Sequence, residues 1–263
     1  MNTYKEYYQK CKSNYNGSYQ NFKSLDELTI EIGNLHNEQL DNVKSIHKFA
    51  SDKLNKKEDL FDVTHKNIIK VNNISDCDDI SKLGNYFGDY LEKKYYGCHT
   101  IIEAVLIYQS LPNKVERSSW VWHYDDNVNE QIKVMVYLND VTEKSGAMNV
   151  LMDKNGNGCK IQTSKIANGV STDKVYTGSR IPDVNEFKKK GYLPKSIIGE
   201  SGTYCIFDPN CIHKATTPTE NPYRICIVYN FRPYLHNTDR FSKHFTRTWD
   251  NLGNIKEYNL EYE

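Results

Sequence analysis

No run in this 263-residue chain approaches the roughly 20 uninterrupted apolar residues that a membrane-spanning helix needs. Its opening residues, MNTYKEYYQK, lack the apolar core of a secretory leader, so a soluble, cytoplasmic protein is expected. Excess charge is also missing, because 34 Lys+Arg balance 34 Asp+Glu. Proteins that hold nucleic acid by neutralising phosphates concentrate basic residues, so neither nucleic acid nor a membrane is an expected partner. The seven cysteines contain no Cys-x-x-Cys pair and are odd in number, which argues against a zinc knuckle or a disulfide framework and for reduced, buried thiols. Tryptophan is scarce at 3, and the 20 tyrosines carry most of the aromatic content. Tyrosine, with a large ring and a hydroxyl that needs a partner, is expected to fill much of the core.

What is present divides by period. Ser24 and Glu27 have the spacing of a capping box. Between positions 37 and 54, Leu40, Val43, Ile46, Phe49 and Ala50 form an apolar stripe at helical spacing. A second helix is expected from Ser75 or Asp76, carrying Ile80, Leu83, Phe87, Tyr90 and Leu91 and stopping at Gly97. Beyond Gly97 the segments 100–110, 131–138, 146–152, 202–207 and 224–231 are short, rich in β-formers and separated by turn residues, as in a barrel or jelly roll. Residues 153–200 show no clear period and read as an insertion that covers an active site. The expectation is one domain over 1–263: a mainly helical part (1–99), a β core (100–232) and a C-terminal extension (233–263) whose Phe241, Phe245 and Trp249 pack.

Chemistry concentrates in SSWVWHYDDN, where His123 and Asp125 stand two apart. On a strand such residues share a face, so an imidazole and a carboxylate there can bind one metal ion. Chance alone supplies a His-x-Asp in about half of chains of this composition, so the pair needs support. His213, closing the run GTYCIFDPNCIH, can supply a third ligand from a separate strand. Arg224, opening the next strand, can clamp a carboxylate with its planar fork. Lys133 and Tyr137 share a strand face and would add donors for the same anion. Two histidines and one carboxylate leave three positions open on Fe(II), the logic of the facial triad. Trp120, Trp122 and Tyr124 fall on the alternate face from His123 in an ideal strand and are expected in the core. Gln109 and Ser110 are lesser candidates for a cosubstrate contact.

The order His123-x-Asp125, QIKVMVYLNDVTEKSGAMNVL, GTYCIFDPNCIHKA, NPYRICIVYNF over residues 100–232 resembles the Fe(II)/2-oxoglutarate-dependent oxygenase superfamily, most closely its phytanoyl-CoA dioxygenase-like branch. The resemblance implies a mainly β fold with flanking helices, namely a double-stranded β-helix (jelly roll, cupin-like) behind an N-terminal helical layer. It implies iron on His123, Asp125 and His213, the distal carboxylate of 2-oxoglutarate on Arg224, and lesser support from Tyr137 and Lys133. The cofactors would be Fe(II), 2-oxoglutarate and O2, with ascorbate as a reductant. The implied activity is hydroxylation of an unactivated C–H in a small metabolite, lipid or sugar-linked substrate, with succinate and CO2 as co-products; related halogenases lack the carboxylate, so Asp125 favours hydroxylation. The alternatives are a jelly-roll metalloenzyme that does not use 2-oxoglutarate and a non-catalytic cupin-like binding protein.

Overall fold

The structure, a computed structural model, describes residues 4–17, 23–63, 68–112, 118–125, 127, 129–161, 180–181, 183–241, 247–249 and 255–258. Its first layer is helical: α1 (Tyr4–Ser13), α2 (Asn37–Lys56) and α3 (Asp78–Leu91). The stripe predicted for α2 is the face it buries, with Val43, Ile46 and Ala50 fully enclosed. Enclosing side chains as large as Val43 and Ile46 contributes about 2 kcal/mol each. Helix α3 runs on through a wider turn, Glu92–Tyr96, and ends at Gly97 with φ +60°, the left-handed conformation that glycine adopts without strain. Ser24 and Glu27 form the predicted capping box, around a single 3-10 turn at Leu25–Glu27. Among the described residues no helix is long and apolar enough to cross a membrane.

Two antiparallel sheets follow. The larger joins β1 (Ile30–Asn34), β2 (Leu60–Val63), β3 (Ile68–Val71), β4 (Thr100–Ser110), β5 (Ile132–Tyr137), β8 (Thr203–Phe207) and β10 (Ile225–Pro233) in the order β1-β8-β5-β10-β4-β3-β2. The smaller joins β6 (Met148–Met152), β7 (Leu193–Ile197) and β9 (His213–Ala215) in the order β7-β6-β9. A two-stranded ribbon of β11 (Arg247–Trp249) and β12 (Ile255–Tyr258) lies near the C-terminus.

Period-two alternation sorts the strand residues between two cores. Ile132, Val134 and Val136 of β5, with Ile225, Ile227, Tyr229 and Phe231 of β10, meet the helices. Met135 and Tyr137 of β5, with Cys226 and Val228 of β10, face the smaller sheet and pack on Met148, Val150 and Met152. The result is a jelly roll with a helical layer on its outer face, as expected. Tyrosine fills the core as its abundance implied: Tyr96 and Tyr229 are fully buried, and each hydroxyl donates to a backbone carbonyl, Tyr229 to that of Ile80 at 2.9 Å. All seven cysteines are buried and unpaired.

The insertion departs from the sequence reading in its described parts. It is not structureless, for it contains a short helix, α4 (Asn185–Lys189), and all of β7, which pairs along β6. The rest of the cover expected over 153–200 includes 162–179 and 182, which lie outside the described residues, as does Phe245. Phe241 does pack on the helical core.

Candidate metal centre

His123, Asp125 and His213 come together with one ligand atom from each inside a 4.8 Å group. The device that unites them is not the strand the sequence suggested. His123 follows a 3-10 turn (Ser118–Trp120) and forms an isolated bridge with His213. Each residue's N–H donates to the other's carbonyl, at 3.0 and 2.8 Å, which sets the rings side by side with centroids 4.3 Å apart. Asp125 enters from the same segment, its N–H donating to the Pro209 carbonyl at 2.9 Å. Asn210, fully buried, ties that turn to the segment by accepting from the Asn127 N–H and donating to the Asn127 carbonyl. The turn is itself held by Asp208, whose carboxylate meets Lys160 at 2.5 Å and accepts from the Asn210 N–H.

The local hydrogen bonds also fix which ring nitrogen is available. His123 Nδ1 lies 2.9 Å from the Val121 carbonyl, and His213 Nδ1 lies 2.8 Å from the Cys211 carbonyl. A carbonyl only accepts, so both Nδ1 atoms carry hydrogen and both Nε2 atoms present lone pairs. Those Nε2 atoms point at Asp125, His123 at 3.6 Å from Oδ1 and His213 at 3.8 Å from Oδ2. Burial, and for His123 the neighbouring imidazole, disfavours protonation; it lowers His123 to about 3 and draws His213 down as well. Burial alone would raise the Asp125 carboxyl, but Lys133 and the two imidazoles outweigh it and hold it below the usual carboxylate range. At neutral pH the group therefore offers two neutral nitrogens and one carboxylate, a donor set that suits a divalent metal such as iron. Lys133 donates to Asp125 Oδ2 at 2.6 Å, a contact of the kind that orients a ligating carboxylate.

These residues line a cavity of about 380 Å³ whose wall includes Leu106, Tyr108, Trp120, Met135, Met148, Phe207 and Val228. Arg224 lines the same cavity and is 2% exposed. Its guanidinium donates twice to Ser110 Oγ, at 2.9 and 3.2 Å, and lies 5.7 Å from the Tyr108 ring centroid. No carboxylate among the described residues pairs with it, whereas buried Arg232 meets Glu103 at 2.7 Å and Arg240 meets both Asp89 and Glu92. A buried cation served only by neutral groups is poised for an anion that enters from outside.

Other expected positions fall differently. Lys133 reaches the cavity but is engaged with Asp125. Tyr137 stands against the Arg224 guanidinium, while its hydroxyl donates to the Ile197 carbonyl at 2.8 Å and accepts from the Met148 N–H at 3.2 Å. Ser110 serves Arg224, and Gln109 lies off the cavity wall. Trp122 and Tyr124 pack in a separate apolar cluster; Trp120 is buried as expected, and it also lines the cavity beside His123, because a 3-10 turn does not keep the alternation of a strand. Asn210 and Asn230, both buried, were not foreseen; single asparagines carry no spacing signal.

No model of a known protein family matches the sequence, and no curated protein sequence matches it. The fold is similar to that of the non-heme alpha ketoglutarate dependent epimerase SnoN from nogalamycin biosynthesis, solved with Fe3+, alpha ketoglutarate and nogalamycin RO (TM-score 0.54, 12% identity, 87% of this chain and 84% of that one). It is similar to EctD from S. alaskensis with bound Fe (TM-score 0.52, 14% identity, 80% and 74%) and to the carbocyclase SnoK from nogalamycin biosynthesis (TM-score 0.51, 10% identity, 79% and 81%). At these identities the likeness is one of fold.

Proposed function

We propose that this chain is an Fe(II)- and 2-oxoglutarate-dependent dioxygenase that hydroxylates an unactivated C–H bond of a small molecule. One observation carries the reading: a His–Asp–His donor group shares a cavity with a buried arginine that has no carboxylate partner among the described residues. The solved structures of similar fold include enzymes whose names record iron and alpha ketoglutarate, which supports it.

His123 Nε2, His213 Nε2 and an oxygen of Asp125 would hold the iron, while Lys133 retains the other carboxylate oxygen and so limits Asp125 to one ligand atom. Arg224 would take the far carboxylate of 2-oxoglutarate, its bond to Ser110 fixing the plane of the fork. Ferrous iron with 2-oxoglutarate and O2 supplies the oxidation of the C–H bond, with succinate and CO2 as co-products and ascorbate as a reductant that keeps the iron ferrous. The apolar wall formed by Leu106, Met135, Met148, Phe207 and Val228 keeps bulk water from the reacting carbon.

The test is direct. Protein given Fe(II), ascorbate and 2-oxoglutarate should form succinate slowly without any added substrate, and Asp125→Ala and His213→Ala should each lower that rate at least 100-fold. An intact protein that neither forms succinate nor binds 2-oxoglutarate overturns the reading, and metal binding alone would leave a metalloenzyme of another kind.

A further inference from the structure

Strand β3 turns a lysine toward the jelly-roll interior. Lys70 pairs with Tyr108 of β4, and residues directly opposite on antiparallel strands point to the same side. Both line the cavity, while Val71, the next residue, packs in the helical core on the other face of the sheet. Lysine is among the residues least often turned inward. One setting that favours it is an edge strand, where an inward charge blocks further pairing. That account does not apply here, because β2 pairs along the whole of β3.

The charge of the wall narrows what this lysine meets. Among the described residues that line the cavity, Lys70, Lys133, Lys214 and Arg224 are basic and Asp125 alone is acidic. That is an excess of three positive charges in a chain whose formal total is zero. Ferrous iron and the 2-oxoglutarate dianion would cancel one another, so the excess persists in the loaded site. Low-dielectric walls lined by one sign of charge concentrate the field and favour a ligand of the opposite sign. Lys133 grips Asp125, Arg224 is assigned to the cosubstrate, and Lys214 lies over the Trp122 ring, 5.6 Å from its centroid. Lys70 is half-buried and stands beside an apolar strip. Leu106, two residues from Tyr108, lies opposite Val228 of β10, which lies opposite Met135 of β5. Two residues beyond Met135 is Lys133, so the strip leads toward the metal centre.

We propose that Lys70 is a substrate-binding residue and that the substrate is an amphipathic anion, with a carboxylate or phosphate on the Lys70 ammonium and an apolar body over the Leu106, Val228 and Met135 strip. This names the substrate class of the site described above and rests on that reading. A lysine is a compact point charge without a fixed fork, so it takes either oxyanion.

Four six-carbon probes test the assignment: hexanoate, hexyl phosphate, hexan-1-ol and hexylamine. Each is titrated into protein loaded with Fe(II) and 2-oxoglutarate under argon and followed by tryptophan fluorescence, since Trp120 is in the wall. Hexanoate or hexyl phosphate should bind at least about tenfold more tightly than the alcohol, the margin of one charge-assisted hydrogen bond, and hexylamine most weakly. Lys70→Gln should bring the anion within about threefold of the alcohol, and Lys70→Arg should keep the preference. Equal affinities for anion and alcohol, no binding by either anion, or a preference that survives Lys70→Gln each overturn the inference. So does a tenfold loss of 2-oxoglutarate affinity in Lys70→Gln, which would place Lys70 in the cosubstrate site. If Lys70→Gln does not fold, Lys70→Met takes its place. A separate titration with 2-oxoglutarate tests the functional reading; if that fails, the change on Lys70→Gln is read on the iron-loaded protein alone.

Discussion

Replacing Arg224 with methionine should move stability and ligand affinity in opposite directions. The guanidinium is permanently charged and almost wholly buried, a state that costs several kcal/mol per ion. Its described compensation comes from neutral groups: two hydrogen bonds converge on one Ser110 hydroxyl, worth about 2 kcal/mol, the Tyr108 ring at 5.7 Å adds about 1 kcal/mol, and the Tyr137 hydroxyl stands beside it. Methionine fills a similar volume with no charge, so Arg224→Met is expected to gain about 1–2 kcal/mol in the absence of ligand. For a chain of this size that is about 2–8 °C in Tm. Binding should change the other way, because a fork that makes two charge-assisted bonds to a carboxylate contributes at least about 3 kcal/mol, or about 100-fold in Kd. At a 2-oxoglutarate concentration 100 times the wild-type Kd, the ligand stabilises the wild type by about 2.7 kcal/mol. The variant should gain only about 0.4 kcal/mol under the same conditions. Denaturation of the iron-loaded protein with and without 2-oxoglutarate measures both quantities. A ligand-free variant that is less stable by more than 1 kcal/mol and still fully stabilised by 2-oxoglutarate would refute the reasoning and make Arg224 a structural residue.

Two further predictions concern the scaffold. The Glu31 carboxylate accepts from Lys94 and from the hydroxyls of Tyr90 and Tyr95; burial opposes its ionisation, but these donors outweigh it and hold the carboxyl below its ordinary range. Its contribution is thus present above about pH 5 and lost as the pH falls through the lowered range, so Glu31→Gln should cost about 1–2 kcal/mol at pH 7 and flatten the acid limb of the stability profile. An unchanged acid limb in denaturant titrations from pH 7 to pH 3 would count against the cluster. Tyr229→Phe removes only the hydroxyl that β10 donates to the Ile80 carbonyl, which keeps its place in the α3 hydrogen-bond ladder, and should cost about 1 kcal/mol by chemical denaturation with 2-oxoglutarate turnover unaltered.

The sequence is most legible where one period runs long enough to be read. Helix α2 spans 20 residues, so its apolar stripe declares both its existence and its buried face. Strand β4 is legible to the residue because a run rich in β-formers, interrupted only by Glu103 before its polar end, lies between turn signals. Strands β1 and β7 escaped for the opposite reason. Each has five residues, and β7 (LPKSI) exposes most of its side chains, so no alternation of apolar and polar residues marks it. The three candidate metal ligands are legible as an order of chemical types, but the means of their assembly is not. A two-residue bridge between positions 90 apart leaves no local pattern, and it takes the place of the strand face expected for His123 and Asp125.

The reciprocal His123 and His213 backbone bonds carry a consequence for how such a protein can change over time. Ligand spacing there is written in main-chain atoms, which no point substitution removes except proline. The residues that shape the rest of the cavity, such as Ile68, Leu106 and Met135, stand on strands that do not carry those two bonds. The proposed metal centre and the surface that would choose its target are therefore mutationally separable. A lineage can rewrite the wall to accept a new molecule while inheriting the coordination geometry intact.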